Sequence, residues 1–365
     1  MRSTLHLAVA LDGAGWHPAA WRSPDAQPDR LFTAGYWIDL IQEAERGLVD
    51  FVTIEDALHL QADGRVDRVR GRLDAVLIAA RVAPRTRHVG LVPTVIVTHT
   101  EPFHASKAIA TLDYVSSGRA GVRVKVSRRT DEAAHFGRRT ASDDTGSLFE
   151  EATDYVEVMR RLWDSWEDDA EIRDVDSGRF IDREKLHYID FTGRWFSVKG
   201  PSITPRPPQG QPVVAALGHS PIPYRFIGRS ADVGFVTPRN ASDAGTMVNE
   251  VGGLIFADLV VFLGDDAVDR KERLDEWAGV AYDGGDAAVF VGTVGELADL
   301  MVEWQAAGVA GFRLRPGELP YDLVRIAREL GPELRRRGAF RHEYDSGTLR
   351  GLLGLPRPVD RYATS

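Results

Sequence analysis

The chain has 365 residues, of which 43% are hydrophobic and none is cysteine. One large core is therefore attainable, while disulfides, thiolate metal sites and cysteine nucleophiles are excluded. A formal charge of −9, from 54 acidic and 45 basic side chains with no long block of one sign, argues against nucleic acid as a partner.

The apolar run from Leu5 to Leu11 leads straight into Asp12 and Gly13 without a small-residue cleavage site, so it reads as a first strand. Further short apolar runs follow, and strands are expected at 4–10, 51–54, 88–92, 121–126, 213–217, 233–236, 254–263 and 311–314. Between them lie segments of helical period, as in Trp37, Leu40, Ile41 and Ala44, or Phe149, Ala152, Val156, Met159 and Trp163, or Leu297, Leu300, Met301 and Trp304. Eight strands alternating with helices predict a parallel (β/α)8 TIM barrel, a single domain over 1–365. A doubly wound open sheet shares the alternation. However, the turn Asp12-Gly13-Ala14-Gly15-Trp16-His17 lacks the glycine spacing that binds a dinucleotide. Residues 168–212, rich in Pro, Gly and Asp, form an excursion, with a small hairpin expected around Trp195 and Phe196. No run approaches the ~18 apolar residues of a membrane span, and the expectation is a cytoplasmic protein with no membrane contact.

In such a barrel the reactive site gathers at the C-terminal ends of the strands. Those positions hold His17, Asp56, Thr94, residues 123–127, the turn Gly218-His219-Ser220, and Thr237. A base, a carboxylate, a cation and a small-residue turn together suit an anionic heterocyclic cofactor. His99, His104 and His135 lack the spacing of a metal site, so no metal is expected.

The run from Leu11 to Arg22 resembles the first-strand signature of the nitrilotriacetate, dibenzothiophene-sulfone and long-chain alkane monooxygenases. These form a branch of the luciferase-like, flavin-dependent superfamily. Other blocks agree in the same order, among them Glu55-Asp56-Ala57, Glu101-Pro102-Phe103-His104, Ser117-Gly118-Arg119-Ala120-Gly121, Leu162-Trp163-Asp164-Ser165-Trp166, and the end from Leu353 to Pro358. The resemblance implies a two-component enzyme. A separate NAD(P)H-dependent flavin reductase would supply reduced FMN, whose reaction with O₂ gives a hydroperoxyflavin that oxygenates a small or medium organic substrate. It also implies a homodimer.

By the same resemblance, His17 would bond a peroxy oxygen or move its proton, unless it is a structural histidine bonding the next loop. Asp56 would organise the flavin ring, unless it is a helix cap. Thr94 and Ser127 fall beside the ring. Arg123 replaces the asparagine of relatives; it would either hold the anionic edge of the ring or pair with Asp56. Gly218, His219 and Ser220 would cradle the phosphate at a helix N-terminus. Pro221 and Pro223 remove donors there, and Phe149 stands where relatives carry a tyrosine. Arg128, Arg129, Arg138 and Arg139 are candidate compensating cations. Trp16, Trp21 and His59, with Phe136, are candidate substrate contacts. The segment from Val236 to Gly292 is shorter than in the larger members, so the late insertion is reduced. Two other readings remain open here: a deazaflavin-dependent oxidoreductase on the same fold, and a degenerate barrel without productive flavin binding.

Overall fold

The computed structural model describes residues 4–60 and 65–363. Eight parallel strands close into a barrel: β1 (His6–Leu11), β2 (Phe51–Ile54), β3 (Gly90–Ile96), β4 (Gly121–Lys125), β5 (Val213–Leu217), β6 (Val233–Val236), β7 (Leu254–Leu263) and β8 (Gly311–Pro316). Each pairs with the next, and β8 pairs back onto β1 with His6 opposite Gly311. The expected strands at 51–54, 213–217, 233–236 and 254–263 coincide with those observed. β3 begins two residues later than expected and runs on to Ile96, and β8 continues through Arg315 to Pro316.

One strand of the barrel sheet was not anticipated. Ala288–Gly292 pairs with the upper half of β7, from Leu259 to Leu263, while the lower half of β7 pairs with β6. The four residues of β6 are too short to cover a ten-residue neighbour, and the added strand completes the barrel rim above it. The excursion carries two hairpins, Glu171–Asp174 with Arg179–Ile181 and Phe191–Thr192 with Ser197–Val198; Trp195 and Phe196 lie in the turn of the second.

Period-two alternation sorts the side chains of the strands into two environments. Val122 and Val124 of β4, or Phe312 and Leu314 of β8, face the surrounding helices. The helices meet them with matching stripes. Ala34–Arg46 starts at Thr33, whose side chain accepts from the Tyr36 N–H, and buries Trp37, Leu40, Ile41 and Ala44. Val294–Ala306 starts with a full capping box, Thr293 with Glu296.

The barrel interior is divided along its axis. Its lower part is apolar, built from Ala8, Phe51, Val92, Val213, Phe235 and Phe256, and is plugged by Leu349 and Leu353 from the C-terminal segment. Gly90 makes room for that plug, since a Cβ there would sit 2.6 Å from Cδ1 of Leu349. The upper part is ionic.

Candidate active site

The upper interior holds Thr53, Glu55, Thr94, Arg123, Asp258, Arg313 and Arg315, all buried. Asp258 of β7 lies opposite Arg313 of β8 in the sheet register. Its carboxylate accepts from both β8 arginines, through Nε of Arg313 at 2.8 Å and Nε of Arg315 at 3.0 Å, with each Nη2 also bonded. On the other side of the barrel, Nη1 of Arg123 lies 2.6 Å from both Glu55 oxygens and 3.3 Å from Thr94 Oγ1. Arg313 links the two halves through Glu55 at 3.4 Å. Charges this deep persist only because they are paired. Burial opposes ionisation of Glu55, but Arg123, then Arg313, Lys125 and Arg315, bring its pKa down to about 2. It is therefore a carboxylate at neutral pH. Burial pulls Lys125 below the usual lysine value, with Glu55 opposing.

Above this layer, at the C-terminal ends of the strands, opens a cavity of about 520 Å³. Trp16, Leu148, Phe149, Leu217, Pro223 and Phe226 give it apolar walls. Its charged lining sets the cations Arg123, Lys125, Arg128 and Arg315 against the two carboxylates Glu55 and Asp286. One donor at its walls, Arg123 Nε, is buried without a hydrogen-bond partner among the described residues. Leaving a buried donor unpaired costs about 1–3 kcal/mol. The cavity therefore favours a flat, acceptor-rich, anionic guest. At the rim, Asp286 bridges Arg315 Nη1 at 2.6 Å and His219 Nε2 at 3.3 Å. Burial opposes its charge, but these two partners hold it well below the usual carboxylate range.

Comparison with known proteins places this site in a family. The model of the luciferase-like monooxygenases matches residues 14–253. The chain belongs to that family. It is 30% identical to N-acetyl-S-(2-succino)cysteine monooxygenase of Bacillus subtilis, with 99% of each chain covered. It is 29% identical to component A of nitrilotriacetate monooxygenase of Aminobacter aminovorans, with 98% of each covered. A riboflavin lyase solved with modified FMN and riboflavin superposes with a TM-score of 0.87 at 25% identity, over 98% of each chain. The alignment with the Bacillus subtilis enzyme runs over 440 positions against 365 residues here, so that relative carries segments this monooxygenase lacks.

Within this monooxygenase the residues singled out from the sequence divide into three groups. Trp16, Arg123, His219, Ser220, Phe149 and Arg128 line the main cavity. Thr94 and Gly218 stand just behind it: Thr94 supports Arg123, and the Gly218 N–H donates to Phe235 O at 3.0 Å. The rest are engaged elsewhere. Arg123 pairs with Glu55 and not with Asp56, because Asp56 turns away to accept from the N–H groups of Ala57 and Ala75 at the start of helix Ala75–Val82. His17 is 1% exposed; Nδ1 accepts from the Ala19 N–H at 3.1 Å and Nε2 meets Asp275 at 3.0 Å. Burial lowers its pKa, with Asp275 opposing. His17 and Trp21 border a second, smaller cavity beyond Trp16.

His59 is held by Glu132 at 2.6 Å, and Ser127 accepts from the Arg129 N–H. Of the four arginines proposed as compensating cations, Arg129, Arg138 and Arg139 are paired with Asp131, Glu101 and Glu151. Only Arg128 faces the cavity. At the helix Pro221–Ser230, Ile222 alone of the first three residues carries an N–H, and Ser220 makes no side-chain cap. No residue of the 168–212 excursion lines the main cavity, so it does not roof the site. Among the described residues no three of His, Asp and Glu converge as a metal site, and no helix is long and apolar enough to cross a membrane.

Sequence reasoning missed Glu55, Asp258, Asp286, Arg313 and Arg315 as members of the site. A signal existed. A charged residue inside an otherwise apolar strand, as in Leu254–Leu263, or at alternate positions, as in Gly311–Pro316, marks the inward face of a barrel.

Proposed function

We propose that the main cavity binds reduced FMN and that the protein is the oxygenating component of a two-component system. A separate NAD(P)H-dependent flavin reductase supplies the cofactor, and the organic substrate is small or medium in size. In this reading the chain acts as one domain, pairs as a homodimer and works in the cytoplasm.

The observation that carries the reading is the lining itself. A ring system with an apolar face and an anionic acceptor edge matches apolar walls that bear excess cations and the unpartnered Nε of Arg123. Arg123, fixed through Nη1 by Glu55 and Thr94, presents its remaining donors to that edge. The side chains of Phe149, Leu217 and Phe226 exclude water from the face. Arg128, His219, Ser220 and the Ile222 N–H remain for the phosphate, a weaker set than a helix start without proline would offer. Bound reduced flavin supplies the electrons that activate O₂; the chain orients it, keeps it dry and compensates its charge. His17, with both ring nitrogens engaged, acts as a positioning residue for the Trp16 loop.

The test is anaerobic titration with reduced FMN, oxidised FMN and a deazaflavin, followed by oxygen uptake. Tighter binding of reduced FMN, and oxygen uptake driven by NADH only after a flavin reductase is added, are the expected results. Tight deazaflavin binding without oxygen consumption would overturn the reading.

A further inference from the structure

Behind Trp16 the loop after β1 and the segment 68–72 enclose a second cavity of about 190 Å³, lined by Asp12, Trp16, His17, Trp21, Arg68 and Arg72 among others. Its polar groups are unusually one-sided. Trp16 Nε1, Arg68 Nε and Arg72 Nε are all buried without a hydrogen-bond partner among the described residues, and all three are donors. The side-chain acceptors of the same wall are already engaged. Both oxygens of Asp12 accept from Arg72 Nη2, at 2.8 and 3.0 Å, and His17 Nδ1 accepts from the Ala19 N–H. Trp21 Nε1 is likewise committed, to Asp67 O at 3.0 Å. Two guanidiniums face one carboxylate, so the lining carries excess positive charge.

From this arrangement we infer that the second cavity is a carboxylate subsite, and that the substrate oxidised in the main cavity is a carboxylic acid anchored here. The inference rests on the monooxygenase reading for the main cavity. Trp16 lines both cavities, so a carboxylate held in the second lies one indole away from the first. A guanidinium edge presents parallel N–H groups that match the two oxygens of a carboxylate. Arg68, which no carboxylate holds among the described residues, turns about its last side-chain torsions to bring its N–H groups to such a guest, while Arg72 stays on Asp12 and adds its charge. The Arg68 guanidinium then gains the partner that it lacks in the empty protein. A neutral guest such as an amide offers these cations no charge to meet.

The test needs neither flavin nor oxygen. Intrinsic tryptophan fluorescence of the full chain, whose eight tryptophans include Trp16 and Trp21 at this cavity, is followed at low ionic strength during addition of succinate. Parallel titrations use its neutral diamide, succinamide, and inorganic phosphate. The native protein is expected to give a saturable response to succinate, with Kd on the order of 1 mM, and weaker responses to both controls. Arg68→Gln, which removes a half-buried cation that holds no strand or helix in place, should raise the succinate Kd by about tenfold or more without changing Tm. Trp16→Phe, keeping the ring and losing the N–H, should raise it by a smaller factor. The assignment is overturned if native protein shows no saturable response, if neither variant alters Kd, or if succinamide or phosphate binds as tightly as succinate. Oxygen uptake with reduced FMN on the same preparations reports separately on the main cavity, so failure of one reading is not mistaken for failure of the other.

Discussion

The lower and upper halves of the barrel interior solve the same packing problem in opposite ways. The lower half is filled by Phe51, Val92, Phe235 and Phe256 and sealed by Leu349, and its stability comes from removing apolar surface from water. The upper half fills equivalent positions with Arg123, Asp258, Arg313 and Arg315. Buried ion pairs of this kind return little net stability, because desolvation offsets their attraction. The comparison teaches that the upper half is built for charge at a fixed place, and that the lower half supplies the rigidity it needs. Even the boundary is shared: the Arg313 guanidinium lies 4.3 Å above the Phe235 ring, and Arg315 lies 4.5 Å from that of Trp16.

The largest effect should come from breaking the ionic half at its single shared carboxylate. Asp258→Ala leaves Arg313 and Arg315 without their common partner and is expected to cost about 3–5 kcal/mol in urea unfolding. Leu349→Ala, the equivalent cut in the apolar half, should cost about 2–3 kcal/mol, since the C-terminal plug can settle into part of the space. A larger loss for Leu349→Ala than for Asp258→Ala would mean that the ion pairs are looser than their geometry implies.

A smaller change sharpens the functional side of the contrast. If Arg123 compensates the charge of reduced flavin, Arg123→Asn should reduce the preference for reduced over oxidised FMN by about 10- to 100-fold, the worth of one charge-assisted hydrogen bond. An unchanged ratio, read by anaerobic titration, would remove Arg123 from that role.

The last effect concerns acid. Glu55 titrates at about 2 when folded, below its ordinary 4.5, so its contribution to stability is complete above the ordinary value and is lost as pH falls through that interval. The native unfolding free energy should therefore drop between pH 4.5 and 2, and Glu55→Gln should show a shallower drop. Parallel pH profiles would mean that Glu55 has no part in acid unfolding.

The sequence by itself determined the barrel. Eight apolar runs with intervening helical periods admit few other closed arrangements, and four of the eight strands fell on their observed limits. Family-wide blocks determined the enzyme class, and strand ends located the mouth of the site at Trp16, Arg123, His219 and Ser220. Tertiary structure decided the rest. Whether Arg123 meets Glu55 or Asp56 depends on which way two adjacent carboxylates point just beyond the end of β2, where one turns into the barrel and the other to the helix start at Ala75. Whether His17 is free depends on Asp275, 258 positions away. Whether Arg128 or Arg139 reaches the cavity depends on which acidic neighbour is within reach. Periodicity along a chain records which face a residue belongs to; it carries no record of the partner that arrives from across the barrel.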